Sequence, residues 1–92
     1  MSKKAIVTGA SSGIGKGIAF ALAKEGYDVA ISYAHKKEEA EAVVKSIETM
    51  YGQKAYCFQA SLDIPGNSTV FFRQATEALG GLDLLVNNAG LT

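Results

Sequence analysis

Glycine and hydroxyl residues are concentrated in one segment near the start of the chain. Thr8-Gly-Ala-Ser-Ser-Gly-Ile-Gly15 follows the apolar run 5–8 and precedes a helical pattern. In a parallel α/β sheet, such a strand-to-helix junction can bind phosphate, because the unpaired N–H groups and partial positive charge of the helix N-terminus attract anions. Glycines there allow a tight turn, close approach of the backbone to a pyrophosphate, and close packing of helix on strand. The segment therefore predicts a nucleotide-phosphate site.

The spacing of the glycines leaves several interpretations open. It is Gly9-x-x-x-Gly13-x-Gly15, and neither Gly-x-Gly-x-x-Gly nor the Walker pattern occurs in the segment. A glycine-rich turn without a ligand is one alternative, although the strand before and the helix after favour phosphate binding. A flavin or a nucleoside phosphate is another possible ligand. Ser11 and Ser12 either donate hydrogen bonds to phosphate or cap the helix.

The elements that would position this loop alternate along the chain. Apolar runs predict strands at 5–8, 29–33, 55–59 and 82–86, and helical patterns lie between them. The order βαβαβαβ with short connections predicts an α/β fold, a Rossmann-type doubly wound parallel sheet. We expect its first four strands in the order 3-2-1-4, with two helices on one face and the third on the other. Residues 1–92 would form a partial dinucleotide-binding domain of this type.

Each helix is predicted from apolar residues at helical spacing. The predicted apolar positions are Ile14, Ile18 and Leu22 in the first helix; Ala40, Val43, Val44, Ile47, Met50 and Tyr51 in the second; and Phe71, Phe72, Ala75, Ala78 and Leu79 in the third. Asn67 or Ser68 is expected to cap the third helix.

Composition argues against several other classes of protein. The chain has 9 basic and 9 acidic residues, so no net field recruits nucleic acid or an anionic membrane. No apolar segment is long enough for a signal peptide or a membrane span, and a cytoplasmic location is expected. One Cys and one His give no metal-ligand spacing, and Cys57 cannot form a disulfide within the chain.

Two motifs together resemble the short-chain dehydrogenase/reductase family. Thr8-Gly-x-x-x-Gly-x-Gly15 is followed by Asn87-Asn88-Ala89-Gly90, each after a predicted strand. Within the family, the chain is most similar to the 3-oxoacyl-carrier-protein reductase and glucose dehydrogenase type. By itself, the segment 87–90 reads as a polar turn.

The resemblance implies which residues contact a dinucleotide cofactor. The residues expected along the pyrophosphate and the adenosine ribose are Gly9, Ser11, Ser12, Gly13, Ile14 and Gly15. Asn88, Ala89 and Gly90 would close over the ribose and tie the fourth strand to its neighbours. Ser61 stands where the family commonly has Asp or Asn facing the adenine amino group, and Leu62 would supply packing and backbone groups. Tyr33, at the end of the second strand, completes the predicted set.

The end of the second strand favours NADP over NAD. NAD-specific folds place a carboxylate there for the ribose 2′-OH, whereas this chain has no acid before Glu38. Lys36 and Lys37 lie just beyond and either bind a 2′-phosphate or form a solvated charge run. Ser12 and Ala34 occupy positions where NADP-dependent relatives often carry Arg.

The resemblance also implies what residues 1–92 do not contain. Family members transfer a hydride between nicotinamide and a small carbonyl or alcohol substrate, using a Ser and a Tyr-x-x-x-Lys pair beyond the Asn-Asn-Ala-Gly motif. Tyr33-x-x-x-Lys37 matches that pair, but it straddles the end of a strand and is rejected. No catalytic residue is therefore predicted, residues 1–92 alone are expected to be inactive, and the complete protein is expected to be a homo-oligomer. A non-catalytic nucleotide-binding or interaction fragment is the alternative.

Overall fold

The computed structural model describes residues 2–61 and 64–88. Four strands alternate with three helices, as the sequence predicts. The strands are β1 (Lys3–Val7), β2 (Tyr27–Tyr33), β3 (Ala55–Gln59) and β4 (Leu84–Val86), and the helices are α1 (Gly13–Lys24), α2 (Lys37–Tyr51) and α3 (Asn67–Leu79). The predicted cofactor contacts of Leu62, Ala89 and Gly90 lie outside the described residues.

The sheet has the predicted topology. Its strands lie in the order β3-β2-β1-β4, and all three pairings are parallel. In register, Ile6 lies opposite Ala30 of β2 on one side and Leu85 of β4 on the other. All carboxyl ends of the strands therefore meet at one edge, with the loop after β1 between those after β2 and β4.

Two hydrophobic clusters cover the two faces of the sheet. One contains Val7, Val29 and Ile31 with residues of α1 and α2. The other contains Ile6 and Ala30 with Phe71 and further residues of α3. Side chains alternate between faces along each strand, so neighbouring residues join opposite clusters. The predicted placement of two helices on one face and the third on the other is confirmed.

The buried face of helix α1 is shifted by one residue from the predicted apolar positions. Its buried residues are Gly15, Ala19 and Ala23. Ile18 is only partly buried, and Ile14 is 75% exposed. Small side chains on the inner stripe let the helix backbone approach the sheet closely, so the larger side chains lie beside the contact or outside it.

Three smaller predictions are wrong. Met50 is exposed on α2, because the buried stripe of that helix ends at Ile47. Neither Asn67 nor Ser68 caps α3, because the N-cap is Gly66 in a left-handed conformation with φ 89°. Strand β4 is shorter than expected, and Leu82 precedes it in an exposed position.

A polar cluster ties the amino ends of the strands together. The Asp28 carboxylate accepts from Lys4 Nζ at 2.8 Å, from Lys54 N at 3.0 Å and from Gln53 Nε2 at 3.1 Å. Burial by itself would raise the pKa of Asp28, but the hydrogen bonds from Lys4 and Lys54 and the positive charges of these lysines hold that pKa below its ordinary value. The cluster links β1, β2 and the approach to β3 at the edge opposite the glycine segment.

Candidate nucleotide-binding site

The loop between β1 and α1 is held by side chains from two other strands. Gly9 N donates to Ser32 Oγ at 2.9 Å, and Gly9 O accepts from Asn88 Nδ2 at 3.1 Å. Ala10 N donates to the carbonyl of Ser32 at 3.1 Å. Gly9 and Gly13 have φ of 62° and 63°, a left-handed region that favours glycine. The loop is therefore fixed from both sides.

The third glycine of the motif is a packing requirement. A Cβ on Gly15 would lie 2.4 Å from Gly9 O and 2.5 Å from Asn88 Nδ2. No side chain fits between the start of α1 and the loop before it. Gly13 differs, because a Cβ there would meet nothing within 4 Å and only its positive φ requires glycine.

The N-terminus of α1 opens toward the same edge of the sheet. Ser12 is the N-cap residue, but its side chain makes no cap hydrogen bond, and the first turn contains no acidic residue. Of the two interpretations of Ser12, capping is thus not observed. Ser11 is half-buried, Ser12 is exposed, and Ile14 projects into solvent beside them. The uncapped helix end has an electrostatic preference for an anion.

The two sequence motifs meet in space. Thr8 Oγ1 donates to Asn87 Oδ1 at 3.1 Å, and Thr8 N donates to Val86 O at 3.0 Å. Asn88 is buried and reaches Gly9, 79 residues earlier in the sequence. The side chains that follow β4 therefore support the loop between β1 and α1.

The remaining predicted site residues lie at the ends of β2 and β3. Tyr33 is 7% exposed and belongs to the cluster beneath α1 and α2, and its carbonyl accepts from Ala60 N. The carbonyl of Ser61 accepts from Asn67 Nδ2 at 3.0 Å and borders a cleft of about 200 Å³ between β3 and α3. Cofactor contacts by Tyr33 and Ser61 stay predictions.

The loop after β2 carries exposed cations. Lys36 Nζ lies 4.0 Å from Glu39 Oε2, and both side chains are more than half exposed, so this pair contributes little. Gln59 Nε2 donates to Ala34 O at 3.0 Å and ties the loop to the end of β3. The rejected Tyr33-x-x-x-Lys37 pair joins the last residue of β2 to the first of α2, as predicted.

Ser32 is a site residue that the sequence reasoning misses. It lies 1% exposed in the apolar strand Val29-Ala-Ile-Ser-Tyr33, and both its hydroxyl and its carbonyl bind the glycine loop. The available signal was a lone hydroxyl near the carboxyl end of a buried strand. Such a hydroxyl needs a hydrogen-bond partner.

Residues 2–61 and 64–88 give no sign of a metal site or of a membrane span. They contain no group of three or more His, Cys, Asp or Glu residues that could hold a metal ion. None of their helices has the length and apolar character needed to cross a membrane.

Comparison with known proteins places the chain in a family. The profile of the family described as short chain dehydrogenase matches residues 3–92. The chain is 47% identical over 92 residues to a 3-oxoacyl-(acyl-carrier-protein) reductase of Staphylococcus aureus, covering 100% of this chain and 37% of that protein. It is 40% identical over 89 residues to an L-rhamnose 1-dehydrogenase (NAD(P)(+)) of Sphingomonas, covering 97% of this chain and 35% of that protein.

Solved structures agree with this assignment. A short chain dehydrogenase of Burkholderia cenocepacia, crystallised in complex with NADP, superposes with a TM-score of 0.88 at 47% identity. The match covers 92% of this chain and 34% of that one. The chain therefore belongs to the short-chain dehydrogenase family. It spans little more than a third of the length of the curated relatives that it matches.

Proposed function

We propose that this chain is the dinucleotide-binding portion of an oxidoreductase that transfers a hydride between a nicotinamide cofactor and a carbonyl or alcohol substrate. The observation that carries the proposal is the loop from Gly9 to Gly15, fixed by Ser32 and Asn88 and followed by an uncapped helix N-terminus. A glycine-rich turn that binds no ligand would not need a helix N-terminus that attracts anions.

The residues present fit a dinucleotide. Gly13 has a positive φ and open space where a side chain would otherwise stand, and the adjoining helix turn has no carboxylate to repel phosphate. Backbone N–H groups of the first turn would hold the pyrophosphate, with the hydroxyls of Ser11 and Ser12 as further donors. The exposed side chain of Ile14 would pack against apolar parts of the ligand, and Asn88 would keep the loop in place. When bound, the nicotinamide group supplies or accepts the hydride.

The preferred cofactor in this proposal is NADP. Support comes from the loop after β2, where His35, Lys36 and Lys37 are exposed and no carboxylate precedes Glu38. The weak pairing of Lys36 with Glu39 leaves its ammonium group able to bind a 2′-phosphate. The complex of the Burkholderia relative with NADP agrees with this preference.

The test is to titrate the protein expressed from its natural gene with NADPH and NADH, following ligand fluorescence. We expect tighter binding of NADPH. Replacing both Lys36 and Lys37 with Ala should weaken NADPH binding about 5- to 30-fold, since charge-assisted hydrogen bonds contribute about 1.5–3 kcal/mol at most and less at exposed sites. Binding of NADH should change by less than about twofold, because NADH lacks the 2′-phosphate.

A matched control replaces two other exposed lysines with Ala. They are Lys24 at the end of α1 and Lys45 in the middle of α2, both away from the loop after β2. Their replacement with Ala should leave both affinities unchanged. Tighter binding of NADH than NADPH by the unaltered protein would refute the NADP preference. Failure to bind either nucleotide would refute the proposed function.

The substrate and the assembly state belong to the same proposal. A small carbonyl or alcohol compound is the proposed substrate class, and the complete protein is proposed to act as a homo-oligomer. The reductase and dehydrogenase names of the two curated relatives support this substrate class.

A further inference from the structure

We infer that Ser32 is a positioning residue that sets the orientation of the phosphate-binding loop. This inference rests on the proposed nucleotide-binding function, because it assigns a role to Ser32 within that site. The pairing of β1 with β2 ends where Val7 lies opposite Ile31, and Ser32 is the next residue of β2. At this point the regular ladder ends and the glycine loop begins.

Ser32 extends the hydrogen bonding between β1 and β2 by using its side chain as well as its backbone. Its carbonyl accepts from Ala10 N at 3.1 Å, and its hydroxyl oxygen accepts from Gly9 N at 2.9 Å. In a regular parallel ladder, successive N–H groups of a strand point to opposite neighbours, so the backbone of one neighbour accepts from only every second residue. The hydroxyl therefore allows β1 to turn sharply while both N–H groups stay bonded to β2.

Ser32 also helps to fix the orientation of the Gly9 backbone. Gly9 N is bound by Ser32, and Gly9 O is bound by Asn88 Nδ2 at 3.1 Å. The same oxygen lies against Gly15, where even a Cβ would approach to 2.4 Å. Ser32 thus fixes one side of a contact that sets the distance between the loop and the first turn of α1.

Loss of the hydroxyl would leave the N–H of Gly9 without this acceptor. Ser32 is 1% exposed, so replacement by bulk water would require the strand and loop to separate. The loop would then move relative to α1, and the N–H groups that face the phosphates would lose their common geometry. The expected result is weaker binding of the pyrophosphate, which all nicotinamide dinucleotides share.

The experiment compares Ser32→Ala, Ser32→Thr and the control Ser46→Ala, which removes a hydroxyl in the middle of α2. Dissociation constants for NADPH and NADH are measured by isothermal titration well below the Tm of every variant. Circular dichroism establishes that each variant is folded under those conditions. We expect Ser32→Ala to weaken both ligands by the same factor, about 5- to 30-fold, because the partly buried N–H of Gly9 loses its acceptor.

Ser32→Thr keeps the hydroxyl and should bind both ligands within about threefold of the unaltered protein, since the acceptor is retained. Ser46→Ala should not change either dissociation constant. A role in stability alone would lower the Tm of Ser32→Ala but leave the dissociation constants of the folded protein unchanged, and that result would overturn the inference. So would a loss confined to NADPH, which would place the effect at the 2′-phosphate.

If Ser32→Ala does not fold, Ser32→Cys replaces it, because a thiol has a similar shape and is a weaker acceptor. The expected pattern is the same, with a smaller equal loss for both ligands. Unchanged affinities of folded Ser32→Cys would then overturn the inference. Absence of NADPH and NADH binding in the unaltered protein is a separate result, because it refutes the proposed function before any variant is compared.

Discussion

The glycines at the start of α1 meet different physical requirements. Gly15 is needed because a side chain would collide with Gly9 O and Asn88 Nδ2. Gly13 is needed for its left-handed backbone conformation, with φ 63°. Gly17, two residues further along α1, meets neither requirement, since its φ is helical and a Cβ there would meet nothing within 4 Å. Spacing alone does not separate these cases.

This difference gives a matched pair of substitutions. Gly15→Ala should lower the free energy of unfolding by about 1–3 kcal/mol, because insertion of a methyl group into a packed contact forces the backbone to shift. Nucleotide affinity should fall with it, because the loop and Asn88 border the clash. Urea denaturation and NADPH titration measure the two effects.

Gly17→Ala is the control, two residues away on the exposed face of the same helix. It should raise stability by about 0.5–1 kcal/mol, since alanine loses less backbone entropy in a helix than glycine does. Affinity should stay unchanged. Equal behaviour of the two variants would show that the contact at Gly15 has no special role.

At the scale of elements, the amino edge of the sheet is fastened by the Asp28 cluster. The carboxylate joins Lys4 of β1 to Gln53 and Lys54 before β3. Since its pKa is lower in the folded state than in the unfolded chain, ionised Asp28 stabilises the fold at neutral pH. This contribution should disappear as the pH falls from about the ordinary value of 3.8 through the lower value of the folded state.

The prediction is tested by urea denaturation of the unaltered protein and Asp28→Asn between pH 7 and pH 2.5. At pH 7 the variant should be less stable by about 1–3 kcal/mol, because charge-assisted hydrogen bonds are lost. The difference between the two proteins should narrow below pH 4. A difference that stays constant over the whole range would show that ionisation of Asp28 does not contribute.

The type and order of the helices and strands could be predicted from the sequence. The residues that the helices bury against the sheet could be predicted only in part. Alternating apolar runs correctly predicted four strands, although β4 is shorter than expected, and doubly wound topology correctly predicted their order. The inner stripe of α1 was predicted one residue early, because Ile14 was counted with the apolar stripe although it is exposed in the first turn of the helix. Small residues such as Ala19 and Ala23 carry little hydrophobic signal, yet they decide how closely the helix packs.

The candidate site was predictable where a motif carries it and not where a tertiary contact does. The glycine loop was found from its spacing and Asn88 from the resemblance to the family, and the structure brings them within hydrogen-bond distance. Ser32 was not found, because a single serine in a strand has no local pattern that indicates which backbone group it binds. Its role depends on the register between β1 and β2, which only the folded sheet defines.

At the scale of the whole molecule, β4 is an edge of the sheet within the described residues. The strand order places it beyond β1, and Leu85 is 45% exposed. An exposed apolar edge strand offers unpaired backbone groups to other chains. A polypeptide of residues 1–92 alone should therefore associate, exchange elements with another copy, or fold poorly.

Sedimentation equilibrium of that polypeptide and of Leu85→Lys tests this expectation. The lysine should weaken association, because a charge on an edge strand opposes pairing with a second strand. Val70→Lys is the control, since Val70 is an exposed apolar residue of α3 and lies away from that edge. A monodisperse monomer of residues 1–92 that melts cooperatively would contradict the prediction.

The two bonds that hold Gly9 differ greatly in sequence separation. Ser32 lies 23 residues from Gly9, whereas Asn88 lies 79 residues away. During synthesis, the first bond can form once β1, α1 and β2 have left the ribosome, but the second must wait for nearly the whole segment and for closure of a long loop. We therefore expect the nucleotide site to be completed late in folding, so that a nascent chain can pair β1 with β2 and β2 with β3 before it can retain a nucleotide.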